Sequence, residues 1–464
     1  MKKRNGTFIL RFAAAVLAAA FCLLLLAGCG EKEEVPAEKY ILCSAGISKY
    51  SIVIPEEASE CEKYAAGMLS EEIRNLTGRK LKTYADSDDE TDCEILVGMT
   101  SRKAERDAQI PENGKYLVYS AGKKVILLGE SYAVAGGIPA VIEALKNGGD
   151  ISGDKTPHEF KPAETENVIL LIGDGMGKNH VLLAETESPK TLTSDGVTVP
   201  DEKSGSTFAA NEFPNKGEVT TVNSKGETTD SAASATALST GHKTFNGVLG
   251  MIPADLDSDG VEDELRSVQN VREAACLKGM KTAVLSTDRQ TGATPNAFLV
   301  HHSDRYASAV ILEQQSAVEE AEFSPEYLWC GYDSESFAEE FRNTLERVEN
   351  EKGFFVMAEE AMIDKYASRL DFDNVIRTVK RMDDAVRIAA AYAYCHPETA
   401  VIVTADHETG GLTVGEDGEF MWTSDGSHTD TPVGVYAMGE GTEVFSGTVD
   451  NTDIAKYIFN VINK

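Results

Sequence analysis

Four apolar runs without polar interruption, at residues 168–172, 282–286, 353–357 and 400–404, limit what this chain can fold into. A strand with one face in water alternates apolar and polar residues. An unbroken run such as Val168-Ile169-Leu170-Leu171-Ile172 fits a strand buried on both faces. Helix-period stretches lie between the runs, at 337–348 and 375–393. Buried strands alternating with helices predict an α/β fold built on a mainly parallel sheet flanked by helices. In such sheets, ligands gather beyond the carboxyl ends of the strands.

Polar groups follow each run. Ile172 leads into Gly173-Asp174-Gly175-Met176-Gly177, and Ser286 into Thr287-Asp288. Met357 leads into Ala358-Glu359-Glu360, with Asp364 shortly after, and Thr404 into Ala405-Asp406-His407-Glu408. Each cluster alone is a common turn, whereas four on one sheet edge are a specific arrangement. Carboxylates crowded there repel one another unless cations sit between them. Mixed Asp, Glu and His donors suit zinc, and an all-oxygen position suits magnesium. Between these strands, Thr228-Thr229-Asp230-Ser231-Ala232-Ala233-Ser234-Ala235-Thr236-Ala237 reads as a small-residue helix with Ser231 at its start. A helix N-terminus offers free amides and a positive dipole end to a phosphate. A serine hydroxyl needs activation to attack, and with no conventional serine–histidine dyad evident nearby a metal ion is the better activator.

The chain has 464 residues, enough for two domains, and a formal net charge of −32. That charge repels nucleic acid and argues against a nucleic-acid partner. An acidic protein handling an anionic substrate needs local positive charge, and bound cations supply it. Lys2, Lys3 and Arg4 followed by an apolar stretch to Leu26 form a targeting segment. It ends in Leu26-Ala27-Gly28-Cys29, which resembles the lipobox of bacterial lipoproteins. The expected organisation is a signal peptide at 1–28, lipidation of Cys29, a tether at 29–39, a small α/β domain at 40–150, a linker at 151–165 and a catalytic domain at 166–464. The protein is then extracytoplasmic, held to the bacterial cell membrane through lipid on Cys29. Within 40–150, strands are expected at 50–54, 94–97 and 124–128, and helices at 58–76 and 133–145. This stretch resembles the small non-catalytic α/β domain preceding the catalytic domain in some glycoside hydrolases. Six cysteines remain beyond Cys29 with no CxxC pair, which leaves pairing open and suggests no cysteine-based zinc site.

From residue 166 onward the chain resembles the alkaline phosphatase family. The motifs appear in family order: Gly173-Asp174-Gly175-Met176-Gly177, Thr229-Asp230-Ser231-Ala232-Ala233, Ala293-Thr294-Pro295, Ile363-Asp364-Lys365, Thr404-Ala405-Asp406-His407-Glu408, and Ser427-His428-Thr429. The resemblance implies that Ser231 becomes phosphorylated and that Arg305 grips phosphate oxygens. It implies that Asp174, Asp406 and His407 hold one zinc, and that Asp174, Thr294 and Glu359 hold magnesium. Asp364 and His428 match ligands of a second zinc that activates water. The implied activity is phosphate monoester hydrolysis on a small phosphate ester, in a family where homodimers are frequent.

Two positions depart from the family pattern. Ser368 stands four residues after Asp364, where relatives carry a zinc-ligand histidine. The second zinc then keeps two protein ligands where a catalytic zinc usually has three, unless Ser368, a water or Asp371 substitutes. The alternatives are a catalytically impaired phosphate-ester binding protein, or a phosphodiesterase or sulfatase of the same superfamily. Gly292 replaces an Asp or His common near the magnesium site. Elsewhere, His301-His302 and Trp422 read as packing residues, Trp329 likewise, and Asp255-Leu256-Asp257-Ser258-Asp259-Gly260 as a solvated turn.

Overall fold

The computed structural model describes residues 42, 46–105, 108–187, 190–192, 198–200, 207–255, 264–320, 325, 327–328 and 330–464. The targeting segment, Cys29, the tether, Cys43, Trp329 and most of the 255–260 turn lie outside the described residues.

The first sheet has five strands: β1 (Ser51–Ile54), β2 (Thr83–Ala85), β3 (Glu94–Val97), β4 (Tyr116–Ala121) and β5 (Lys124–Gly129), in the order β2-β1-β3-β5-β4. Only β4 runs antiparallel to its neighbour. Helix α1 (Glu60–Thr77) starts at a Ser59–Glu62 capping box and stops at Gly78, whose φ of 74° is the left-handed conformation that ends helices. The single helix expected at 133–145 divides into a 3-10 segment, Ser131–Gly137, and α2 (Ile138–Lys146). The Gly136-Gly137-Ile138-Pro139 sequence explains the division. A Cβ at Gly136 would fall 2.4 Å from the Tyr116 ring, so close packing there requires glycine.

The second sheet has eight strands: β6 (Asn167–Gly173), β7 (Asn215–Thr220), β8 (Lys281–Ser286), β9 (Tyr327–Leu328), β10 (Phe354–Glu360), β11 (Thr399–Thr404), β12 (Val433–Met438) and β13 (Gly447–Asp450). Their order is β9-β8-β10-β6-β11-β12-β7-β13, and β12 alone opposes the others. The mainly parallel sheet matches the sequence reading, and every residue of β6, β10 and β11 is buried as the unbroken apolar runs require. Helices α3 (Lys178–Thr186), α4 (Ser231–Thr240), α5 (Phe337–Val348), α6 (Met362–Ala367), α7 (Phe372–Cys395) and α8 (Asn451–Ile462) flank it.

The register decides where the chemistry falls. Ser286 lies opposite Glu359, Glu359 opposite Ile172, and Ile172 opposite Thr404. Four carboxyl ends thus lie level, and their following residues meet on one edge. The apolar core is continuous between the two sheets, with α1 and the 131–137 segment packed against α7. Among the described residues, Cys61, Cys93, Cys276, Cys330 and Cys395 form no disulfide with one another. Among the described residues no helix is long and apolar enough to cross a membrane.

Candidate active site

Helix α4 brings Ser231 to the sheet edge. Asp230 caps it, accepting from the Ala233 amide at 2.9 Å. All ten helix residues are buried, which only Ala, Ser, Thr and Leu side chains of this size permit so close to a sheet. Ser234 donates to the Asp406 carbonyl at 2.6 Å, pinning the helix to the end of β11. The Ser231 Oγ then lies 3.2 Å from His407 Nε2.

Gly175 makes the convergence possible. Its φ is +71°, and a Cβ there would stand 2.7 Å from Thr409 Oγ1 and 2.9 Å from Asp364 Cβ. Its amide donates to Asp406 Oδ1 at 3.0 Å. His407 Nε2 lies 3.2 Å from Asp406 Oδ2 and 3.5 Å from Asp174 Oδ1. Asp174, Asp406 and His407 offer donor atoms within 4.8 Å of one another, and so do Asp364, His407 and His428. The imidazoles of His407 and His428 stack with centroids 3.6 Å apart. A two-residue strand pairing, Thr409 opposite His428, delivers His428 to this place.

The electrostatics show a site built for cations. Burial and then the Asp406 charge push Asp174 up to about 8. Burial chiefly raises Asp406 to about 6, and burial with the Asp174 and Asp288 charges lifts Glu359 well above the carboxylate range. Burial lowers His407 to about 4, leaving a neutral imidazole. Asp364 and His428 behave as an ion pair at 3.5 Å. Against the effect of burial, their hydrogen bond holds the acid low and raises the imidazole to about 9. Buried oxygens normally find a partner. Here Asp174 Oδ1, Asp406 Oδ2, Glu359 Oε1 and Thr294 Oγ1 are buried without one, so these four oxygens suit divalent cations. A side chain at Gly292 would meet the Asp288 carboxylate, its Cβ 2.6 Å from Oδ2; Asp288 takes the space that the departure at 292 leaves.

Arg305 donates to Asp230 Oδ2 at 3.1 Å, and Asp230 also accepts the Gly247 amide at 2.9 Å. The residue that caps the nucleophile's helix thereby also anchors the guanidinium. Against burial, the Asp230 charge raises Arg305 further.

Ser368 and Asp371 do not complete the second donor group. Ser368 is exposed and donates to the Lys365 carbonyl at 3.1 Å. Asp371 caps α7, accepting the Asn374 amide at 3.2 Å and its Nδ2 at 2.7 Å. Asp371 as a substitute ligand is therefore corrected: its carboxylate satisfies a helix end. Lys365 sits inside the cluster. Its Nζ lies 3.2 Å from Asp364, 3.5 Å from Asp174 and 3.9 Å from Asp288. Thr409 belongs to the motif after β11 but has no role read from sequence; its hydroxyl donates to Asp364 at 2.6 Å and lies 3.3 Å from His407 Nδ1. The sequence offered its place next to His407 as a signal, but not its partner. Glu360 turns to the other face of β10, where Arg381 binds it at 2.6 and 2.8 Å. His301 bonds Glu273 at 2.9 Å and Trp422 packs on Phe372 at 4.9 Å, both as packing residues.

Comparison with known proteins agrees with this geometry. The family model described as alkaline phosphatase matches residues 165–326 and 335–426. Alkaline phosphatase 4 of Bacillus subtilis (strain 168) is 26% identical over 330 residues, a match spanning 56% of this chain and 65% of that protein. Alkaline phosphatase 3 of the same organism is 24% identical over 434 residues, spanning 64% of this chain and 89% of that protein. Among solved structures, the alkaline phosphatase of the Antarctic bacterium TAB5 superposes with a TM-score of 0.53 at 24% identity, covering 65% of this chain and 99% of that one. A variant of the TAB5 enzyme, at 25% identity, is described with magnesium bound in its M3 site. The family match, the mainly parallel sheet and the cation-suited edge together place this chain in the alkaline phosphatase family, among the hydrolases of that superfamily.

Proposed function

We propose that the protein is an extracytoplasmic, lipid-anchored phosphate monoester hydrolase that works through phosphorylation of Ser231. The observation that carries this reading is Ser231 at the buried start of α4, its Oγ 3.2 Å from His407 Nε2 in the Asp174–Asp406–His407 donor group. Asp174, Asp406 and His407 would hold one zinc; Asp364 and His428 a second; Asp174, Thr294 and Glu359 a magnesium ion. Bound there, the cations would lower the pKa of Ser231 and of water and neutralise charge on the transferring phosphoryl group.

The chain's own residues do the rest. Ser231 Oγ, its proton passed to bulk water, forms a bond to phosphorus while the ester oxygen leaves with the electron pair of the broken P–O bond. The leaving oxygen takes a proton from water. The α4 amides and Arg305 hold the equatorial oxygens, and Asp230 keeps Arg305 in place. Water then attacks phosphorus from the opposite side, giving up a proton to solvent, and the Ser231–phosphate bond breaks with the electron pair returning to Oγ, which takes a proton back from water.

The impaired-binder reading has one observation in its favour: Ser368 and Asp371 both face other partners, so the Asp364–His428 pair gains no third ligand from them. Metal content together with turnover of p-nitrophenyl phosphate, bis-p-nitrophenyl phosphate and p-nitrophenyl sulfate tests both readings. Monoester turnover that needs added zinc and magnesium supports the proposal. Preferred diester or sulfate cleavage, or firm phosphate binding without turnover at saturating metal, overturns it.

A further inference from the structure

A second cluster of candidate metal-binding side chains lies at the seam between the two sheets, where the chain enters β10 and β11, the opposite strand ends from the catalytic groups. Glu72 projects from α1, Glu349 is the residue that ends α5, and His396 the residue that ends α7. Each offers one donor atom, and the three atoms lie within 4.8 Å of one another. They line a cavity of about 260 Å³ together with Tyr64, Met68 and Tyr392.

Four observations point to a cation rather than to a solvated acidic surface. His396 Nε2 is buried and has no hydrogen-bond partner, although Glu349 Oε1 stands 4.0 Å away. An ion between them would satisfy that nitrogen. The ring is held for the purpose: it stacks on Tyr392 at 4.1 Å, and Glu398 Oε1 lies 3.7 Å from Nδ1. A carboxylate behind the far nitrogen orients a metal-bound imidazole and raises its basicity. Tyr392 also steadies Glu349, its hydroxyl 3.4 Å from Oε1. Finally, α5 and α7 both end here, and helix C-termini favour positive charge.

Of the nearby cations, Lys146 acts on Glu72 by its charge, which lowers the carboxyl against the larger effect of burial. Arg74, on the cavity wall, pairs with Glu71. Burial, and then the Glu72 charge, raises Glu349 above its ordinary range.

We propose that Glu72, Glu349 and His396 bind a divalent transition-metal ion that clips α1 to the ends of α5 and α7. One imidazole and two carboxylates are a donor set that zinc accepts, with water completing the coordination. Glu72 lies outside the residues matched by the family model, so the site joins this chain's N-terminal sheet to its catalytic part.

The test uses the full chain with Asp364→Asn and Asp406→Asn, which takes one carboxylate from each catalytic donor group. After chelation and equilibrium dialysis against zinc, metal per chain is measured with and without His396→Ala. The proposal expects zinc content to fall by one equivalent on adding His396→Ala, and the zinc-dependent rise in thermal midpoint to shrink. Glu349→Gln, at a half-exposed position, repeats the measurement should His396→Ala fold poorly. Unchanged zinc content in the folded variants overturns the site.

Discussion

His407 Nε2 lies 3.2 Å from Ser231 Oγ and 3.2 Å from Asp406 Oδ2, so a single ring nitrogen joins the serine hydroxyl to a carboxylate of the donor group. With burial holding His407 neutral, its lone pair is free for a metal ion. The two donor groups share this ring, so under the proposed mechanism serine chemistry depends on metal occupancy.

Metal binding should therefore be linked to protons. Without metal, Asp174 keeps a proton up to about pH 8, against an ordinary value of 3.8. Zinc must displace that proton, so its affinity should fall as pH drops below about 8, by up to roughly tenfold per unit per proton released. The sign for stability follows. A raised carboxyl favours the folded state while it holds its proton, so metal-free stability should decline as pH rises from about 4 to about 8. Thermal unfolding of chelated protein across that range checks this; a flat profile, or one that rises through that window, contradicts it.

Ser368 is the second point of test. Its amide bonds the Asp364 carbonyl at 2.8 Å, so it lies one helical turn on, on the face of α6 that carries Asp364. Ser368→His should place an imidazole beside the Asp364–His428 pair. Zinc content should rise by up to one equivalent per chain at limiting zinc, and breakdown of the phosphorylated enzyme should accelerate. Equal zinc content in both proteins would show that the pair already holds its ion firmly.

The Asp230–Arg305 contact predicts a division of labour. Arg305→Ala should lower kcat/KM by about 100-fold, as loss of a charge-stabilising donor does, and weaken inhibition by inorganic phosphate. Asp230→Asn should leave the guanidinium less firmly placed and weaken phosphate binding in the same direction with a smaller effect. Phosphate inhibition constants for the two variants measure both outcomes.

The proposed membrane anchor rests on Cys29 alone. Cys29→Ser should release the protein into the soluble fraction or block its processing. Unchanged membrane partition, with cleavage mapped elsewhere, contradicts lipidation at this residue.

Much of this arrangement was legible because burial leaves a one-dimensional trace. The apolar runs at 168–172, 353–357 and 400–404 are fully buried in β6, β10 and β11, and the polar residues after them meet at one edge. What escaped depends on pairings with no local signal. Thr409 meets Asp364 across 45 residues, and Lys365 reaches Asp174 and Asp288 because Gly175 lets the loops close together. Asp371 looked like a spare ligand in the sequence, yet the first amides of α7 claim it. The helix expected at 133–145 breaks because the Gly136 backbone must approach the Tyr116 ring, a contact between residues 20 apart.

The central claim is that Ser231 carries the phosphoryl group. Metal-loaded protein mixed rapidly with excess p-nitrophenyl phosphate, quenched in acid and digested, should yield a peptide phosphorylated at Ser231. With breakdown limited at the Asp364–His428 pair, which gains no ligand from Ser368, this species should accumulate, while Ser231→Ala should show no label and lose about four orders of magnitude or more in turnover. Phosphate on another residue, or turnover retained in Ser231→Ala, would contradict the account.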